Sequence, residues 1–180
     1  FDYWLSKSIQ FNLDPILSRN GVIEQFKGDG SEVIVDEALK FITKETKKNK
    51  PFFVLVWYST PHRDFEASKE DVAPFLGRTD DSSALQLGEL AAMDRSLGTL
   101  RQGLKDLGIA ENTLLWFTSD NGGLPDIAYR PDLPGVHPDS TGHLRGFKKD
   151  LYEGGLRVPT IVEWPGTIEH RVSHYPSGTI

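Results

Sequence analysis

Three segments of this 180-residue chain hold the residue types that could do chemistry: Thr118-Ser119-Asp120-Asn121-Gly122, Leu144-Arg145-Gly146-Phe147-Lys148, and Glu153-Gly154-Gly155-Leu156-Arg157-Val158-Pro159. Asp120 offers a charged oxygen and Asn121 a neutral carbonyl oxygen, a pair suited to Ca²⁺ or Mg²⁺ rather than to softer metals. Lys148 follows beside a glycine-rich turn, so the segments together read as an anion site built around a metal. Asn-Gly is also the strongest short turn signal, and Asp and Asn favour turns whatever their function, so the pentapeptide alone reads equally as a plain turn. Ser59-Thr60-Pro61-His62 adds an imidazole. Imidazoles titrate near neutrality and can either donate a proton to a departing alkoxide or hold a charged hydrogen bond to it. An isolated histidine reads as a surface loop residue; the apolar run before it and the Lys148 segment favour function.

Strands and helices must position these groups. Residues 113–118 read Thr-Leu-Leu-Trp-Phe-Thr, an apolar run suited to a strand buried on both faces of a parallel sheet. Ligands of open α/β sheets bind outside the carboxyl ends of the strands, which is where Asp120 and Asn121 fall. Residues 52–58 predict a second buried strand that delivers His62 to the same edge, with Pro51 stopping the helix before it. That helix begins at Ser31 as N-cap and shows Val35, Ala38, Leu39 and Ile42 at helical spacing. Its basic tail, Lys44 to Lys50, reads as a solvated end favoured by the helix dipole rather than as a phosphate patch. Leu90, Met93, Leu97, Leu100, Leu104 and Leu107 form the apolar stripe of a further helix that packs on the sheet and ends at Gly108. Within it Met93 reads as core and Asp94 as a structural hydrogen-bond or salt-bridge partner. Residues 1–30 read as an irregular lead-in or insertion. Residues 124–143, with four prolines, read as a loop walling the pocket, with His137 and His143 as candidate contacts or solvated loop residues. Residues 144–180 carry the lysine loop and a short third strand at 160–164, with Glu153 and Arg157 as scaffold for the turn.

In that order, Pro51 to Val56 running into Thr60-Pro61-His62, Met93-Asp94 with Leu97-Gly98, residues 118–122 and residues 146–159 resemble the sulfatases of the alkaline-phosphatase superfamily. The resemblance implies an α/β fold of three layers, α/β/α, with a mostly parallel central sheet, of which this chain is the middle to later part. It implies that Asp120 and Asn121 bind a divalent cation, calcium ahead of magnesium. It further implies that Lys148 touches the sulfate and the leaving-group oxygen, and that His62 sits beside that oxygen. The substrate implied is a sulfated carbohydrate or aryl ester. The family's nucleophile is a formylglycine made from Cys in a Cys-x-Pro-x-Arg motif, and an early Asp-Asp pair completes its metal site. This chain has no Cys. The expectation is therefore a fragment, inactive alone, whose formylglycine lies upstream. Phe147 before Lys148 and Lys149 after it depart from the small residues often found there, which bears on substrate choice. Related phosphodiesterases and phosphonate hydrolases share the implied fold and ligands, and a non-catalytic sulfated-glycan binding module would retain the anion site without chemistry.

Composition is that of a globular enzyme, 38% hydrophobic and 26% charged. The net charge of -6 argues against nucleic acid as partner, since phosphate binding wants a basic face. An acidic protein acting on an anion must create positive potential locally, here from a metal and Lys148. No apolar run approaches the ~20 residues needed to cross a bilayer. Export to a periplasmic, extracellular or lysosome-like compartment follows only by analogy with the family, and the sequence does not specify oligomeric state.

Overall fold

Asn20-Gly21 closes a hairpin that the scattered apolar residues of the first thirty positions conceal. Both residues have positive φ, 49° and 93°, as a two-residue primed turn requires. The computed structural model describes residues 2–7, 12–123 and 141–173. It divides into two compact units, Phe1–Gly103 and Leu104–Ile180. In the first, β1 (Leu5–Ser6), β2 (Ile16–Arg19) and β3 (Val22–Gln25) form an antiparallel sheet in that order. This corrects the reading of residues 1–30 as irregular. No clean alternation marks these strands because Leu17 is buried while Ile16, Val22 and Ile23 face solvent.

The sheet is tied to the first long helix, α1 (Gly30–Thr46), by Arg19 and Tyr3. The Arg19 guanidinium donates to Glu24 at 2.8 Å and to Glu37 on the helix, and the Tyr3 ring stacks on Phe41 with centroids 5.7 Å apart. Asp29, not Ser31, is the N-cap; its carboxylate accepts from Ser31 N–H at 2.8 Å. Ser31 is itself buried, and its hydroxyl meets Thr60 Oγ1 at 3.3 Å. Val33, Val35, Ala38 and Ile42 form the buried face, and residues 47–50 at the basic end are exposed.

Residues 52–58 pair with no strand among the described residues, which corrects the expectation of a strand buried on both faces. Side chains alternate instead: Phe52, Val54, Val56 and Tyr58 are half-buried, whereas Phe53 and Trp57 are 73% and 76% exposed. A run that is apolar at every position needs cover on two faces, and the unit supplies it to one. Tyr58 anchors that side through its hydroxyl and Ser96 Oγ, 3.0 Å apart.

After the short α2 (Lys69–Val72) comes α3 (Asp81–Asp106), which starts nine residues ahead of the leucine stripe. Asp80 precedes it and accepts from Ser83 N–H at 3.0 Å. Its buried seam runs at spacing four through Ala84, Gly88, Ala92, Ser96, Leu100 and Leu104; Leu90, Met93 and Leu97 flank it half-buried. Small residues dominate because neighbours lie close: a Cβ on Gly88 would stand 2.9 Å from Ala67 Cβ. Asp94 is exposed and is not the structural partner expected. That role falls to Arg95, whose guanidinium donates to both oxygens of Asp71 at 2.7 and 3.1 Å and to Glu32 at 2.6 Å.

In the second unit, Gly108 at φ 68° ends the helix as expected, its N–H bonded to Lys105 O and that of Ile109 to Leu104 O. A 3-10 turn at Ala110–Asn112 leads into β4 (Leu115–Thr118), followed by α4 (Glu153–Leu156) and β5 (Thr160–Glu163). β5 runs antiparallel to β4, with Leu115 opposite Glu163 and Thr118 opposite Thr160. β4 is not buried on both faces either, since Trp116 is 46% exposed. Helices and sheets give an α/β chain whose strand pairs, among the described residues, are antiparallel. No helix of the described residues is long and apolar enough to cross a membrane.

Candidate functional site

β4 ends at Thr118, whose hydroxyl reaches Thr160 Oγ1 at 3.0 Å across the strand pair. The chain then turns through residues 119–123. Ser119 Oγ donates to Asn121 O at 2.9 Å, and Asn121 Nδ2 donates to Gly122 O at 2.9 Å. That second bond uses the amide's donor end and leaves Oδ1 as its acceptor end. Asp120 is exposed and Asn121 half-buried.

Main-chain bonds fasten this turn to the lysine loop. Gly122 N–H donates to Gly155 O at 3.0 Å, Lys148 N–H to Gly123 O at 2.9 Å, and Gly154 N–H to Arg145 O at 2.8 Å. The approach is so close that only glycine fits. A Cβ on Gly122 would strike Gly154 O, one on Gly154 would strike Gly146 O, and one on Gly155 would strike Asp150 O. Gly154 and Gly155 are buried, so these backbone groups have no water to fall back on. Within the loop, Asp150 Oδ2 accepts from Phe147 N–H at 3.1 Å while Asp150 N–H donates to Phe147 O at 2.9 Å. Gly146 and Lys149 take positive φ, 79° and 83°, on either side of Phe147 and Lys148. The main chain of Lys148 thus lies against the turn that carries Asp120 and Asn121, and its side chain is half-buried.

Glu153 and Arg157 do not supply the scaffold expected of them. They form an ion pair of 3.4 Å with both side chains more than two-thirds exposed, and such pairs contribute little. The glycines hold the turn. At the mouth of the loop the Arg145 guanidinium lies 3.7 Å from the Tyr152 ring centroid and donates to its hydroxyl at 2.7 Å.

His62 belongs to the first unit, in a turn after residues 52–58. Its N–H donates to Ser59 O at 2.9 Å, its Nδ1 lies 2.6 Å from Arg63 O, and the side chain is exposed. Buried groups underlie this turn. Asn12 Nδ2 donates to Asp64 O at 2.5 Å, and Glu89 Oε1 accepts from Glu66 N–H at 2.7 Å. Neither Asn12 nor Glu89 announces itself in sequence; a Glu beside an apolar stripe was the available signal. His143 is exposed, and His137 with most of the expected pocket loop lies outside the described residues. Among the described residues no group of three or more His, Cys, Asp or Glu side chains could hold a metal. Asp120 and Asn121 fit part of a hard-cation shell, two oxygens of the six to eight that Ca²⁺ takes.

The family model described as Sulfatase matches residues 1–180. The chain is 36% identical to the N-acetylgalactosamine-6-sulfatase of Canis lupus familiaris over 80% of its own length and 26% of that protein. It is 31% identical to human steryl-sulfatase over 74% of its length and 21% of that protein. Among solved structures, Ps i-CgsB in complex with k-i-k-neocarrahexaose superposes with a TM-score of 0.70 at 31% identity, covering 83% of this chain and 31% of that one. The chain spans 21–26% of the length of these curated relatives.

Proposed function

This chain belongs to the sulfatase family, and from that premise we propose that it forms part of a sulfuric ester hydrolase acting on a sulfated carbohydrate or aryl ester. The observation that carries the reading is the backbone lock that sets Lys148 against the Asp120-Asn121 turn through Gly123 O and the Gly122–Gly155 bond. Sulfated sugars lead as substrates because one relative is named for N-acetylgalactosamine-6-sulfate chemistry and a solved neighbour was captured with neocarrahexaose. By analogy with the family the protein would be exported to a periplasmic, extracellular or lysosome-like compartment.

Asp120 and Asn121 would hold a divalent cation, calcium ahead of magnesium, because the donors are a carboxylate and an amide oxygen on a turn that need not enforce a strict octahedron. Such an ion would supply Lewis acidity and electrostatic orientation for the sulfuryl group. The chain's own groups do the rest. As the S–O bond breaks, negative charge collects on the leaving oxygen, and the Lys148 ammonium would stabilise it; the resemblance to the family gives His62 the role of a proton or hydrogen-bond donor. Preorganised donors of this kind contribute about 2.7–4 kcal/mol each. The attacking group, a formylglycine hydrate, would come from residues outside these 180, which hold no Cys.

Comparing kcat/KM for an aryl sulfate and the matching aryl phosphate in the full-length protein tests the reading. Preference for the sulfate is expected. Faster turnover of the phosphate would instead make the protein a phosphodiesterase or phosphonate hydrolase of the same fold, and turnover of neither would make it a binding module.

A further inference from the structure

Glu89 is fully buried on α3, with 0% of its surface exposed. One carboxylate oxygen accepts from Glu66 N–H at 2.7 Å, and the other, Oε2, has no hydrogen-bond partner among the described residues. Glu66 closes the same loop that carries His62, residues 59–66. The loop has further ties to buried groups, Thr60 to Ser31 and Asp64 O to Asn12, while Glu66 Oε2 accepts from Leu13 N–H at 3.4 Å. The charged groups acting on Glu89 are Asp29 at the start of α1 and Glu66 in the loop itself, both acidic. A dry carboxylate with an orphan oxygen and acidic Asp29 and Glu66 acting on it is costly, whereas a neutral carboxyl keeps the same acceptor for Glu66 N–H.

We propose that Glu89 is a positioning residue: its uncharged carboxyl holds residues 59–66 in place and thereby sets where His62 stands. The catalytic consequence rests on the sulfatase reading above; the hold on the loop does not. Burial, reinforced by Asp29 and Glu66, pushes the carboxyl up to about 8. Its folded value thus lies above its unfolded one, so the stability it lends is complete below the unfolded range and is lost as pH rises through about 8. Between pH 7 and pH 9 the uncharged fraction falls about tenfold, and the loop should loosen in step.

The test uses the full-length protein, wild type and Glu89→Gln, the latter keeping the acceptor without the titration. Hydrogen exchange of peptides covering residues 59–66, corrected for the intrinsic pH dependence of exchange, should show wild-type protection falling about tenfold from pH 7 to pH 9 and Glu89→Gln protection staying level. The kcat of Glu89→Gln on an aryl sulfate should match wild type near pH 7 and exceed it severalfold at pH 9, with KM unchanged. Parallel exchange in the two proteins across the range, or loop protection in wild type that ignores pH, overturns the proposal. An exchange difference as described in a protein that leaves sulfate esters untouched supports the hold on the loop and removes the sulfatase reading instead.

Discussion

Lys148 is placed by its main chain before its side chain acts, since its N–H is committed to Gly123 O. Truncating the side chain should therefore spare the fold. In the full-length protein Lys148→Ala is expected to lower kcat on an aryl sulfate by about 10²–10³-fold, as loss of one preorganised donor does, with the unfolding midpoint essentially unmoved. Arg95 makes the opposite case. Arg95→Ala removes a two-pronged bond to Asp71 and a third to Glu32, and because the guanidinium is about half exposed the loss should be only about 1 kcal/mol by urea unfolding. Arg95 holds the Asp71 carboxyl below its usual range, so this contribution is present above that range and fades as pH falls through it. The variant and wild type should converge in acid. Asp94→Ala, one residue away and exposed, should change stability by less than about 0.5 kcal/mol. Residue types made Asp120, Asn121, Lys148 and His62 candidates in the sequence, because carboxylate, amide, ammonium and imidazole each have a narrow chemistry. Glu89 and Asn12 were not legible, since nothing in a residue's type reveals that tertiary packing will bury it.

Elements explain why the glycines outrank the charged pair that frames them. Gly154→Ala would drive a methyl into the carbonyl oxygens of Gly146 and Arg145, so it should destabilise the lysine loop by more than about 2 kcal/mol and abolish turnover. Gly98→Ala on α3, where a Cβ meets nothing within 4 Å, should instead stabilise by up to about 1 kcal/mol. Thermal unfolding of the two variants side by side checks both, and similar behaviour would deny the clamp. The long helices and the strand ending at Thr118 could be read from periodicity and composition. The hairpin at Asn20-Gly21 also carried a local signal, yet its strands are four residues long and expose Val22 and Ile23, so no alternation supported it. Burial on both faces of residues 52–58 and of β4 was read from apolar content, but content records what a segment needs covered, not which neighbours cover it.

At the scale of the molecule, a chain of net charge -6 with the proposed role of handling an anion depends on concentrating positive charge at one place. The Asp120-Asn121 turn contributes negative charge of its own, so the proposed chemistry requires a cation there, and Lys148 alone would not suffice. The most direct test is turnover of an aryl sulfate by the full-length protein after treatment with a chelator and return of calcium, in wild type and in Asp120→Ala. The chelator should silence the wild type and calcium should restore it, while Asp120→Ala should stay at least about 10²-fold down at the same calcium concentration. Full activity in the chelator-treated wild type, or an Asp120→Ala enzyme as fast as its parent, would contradict the account.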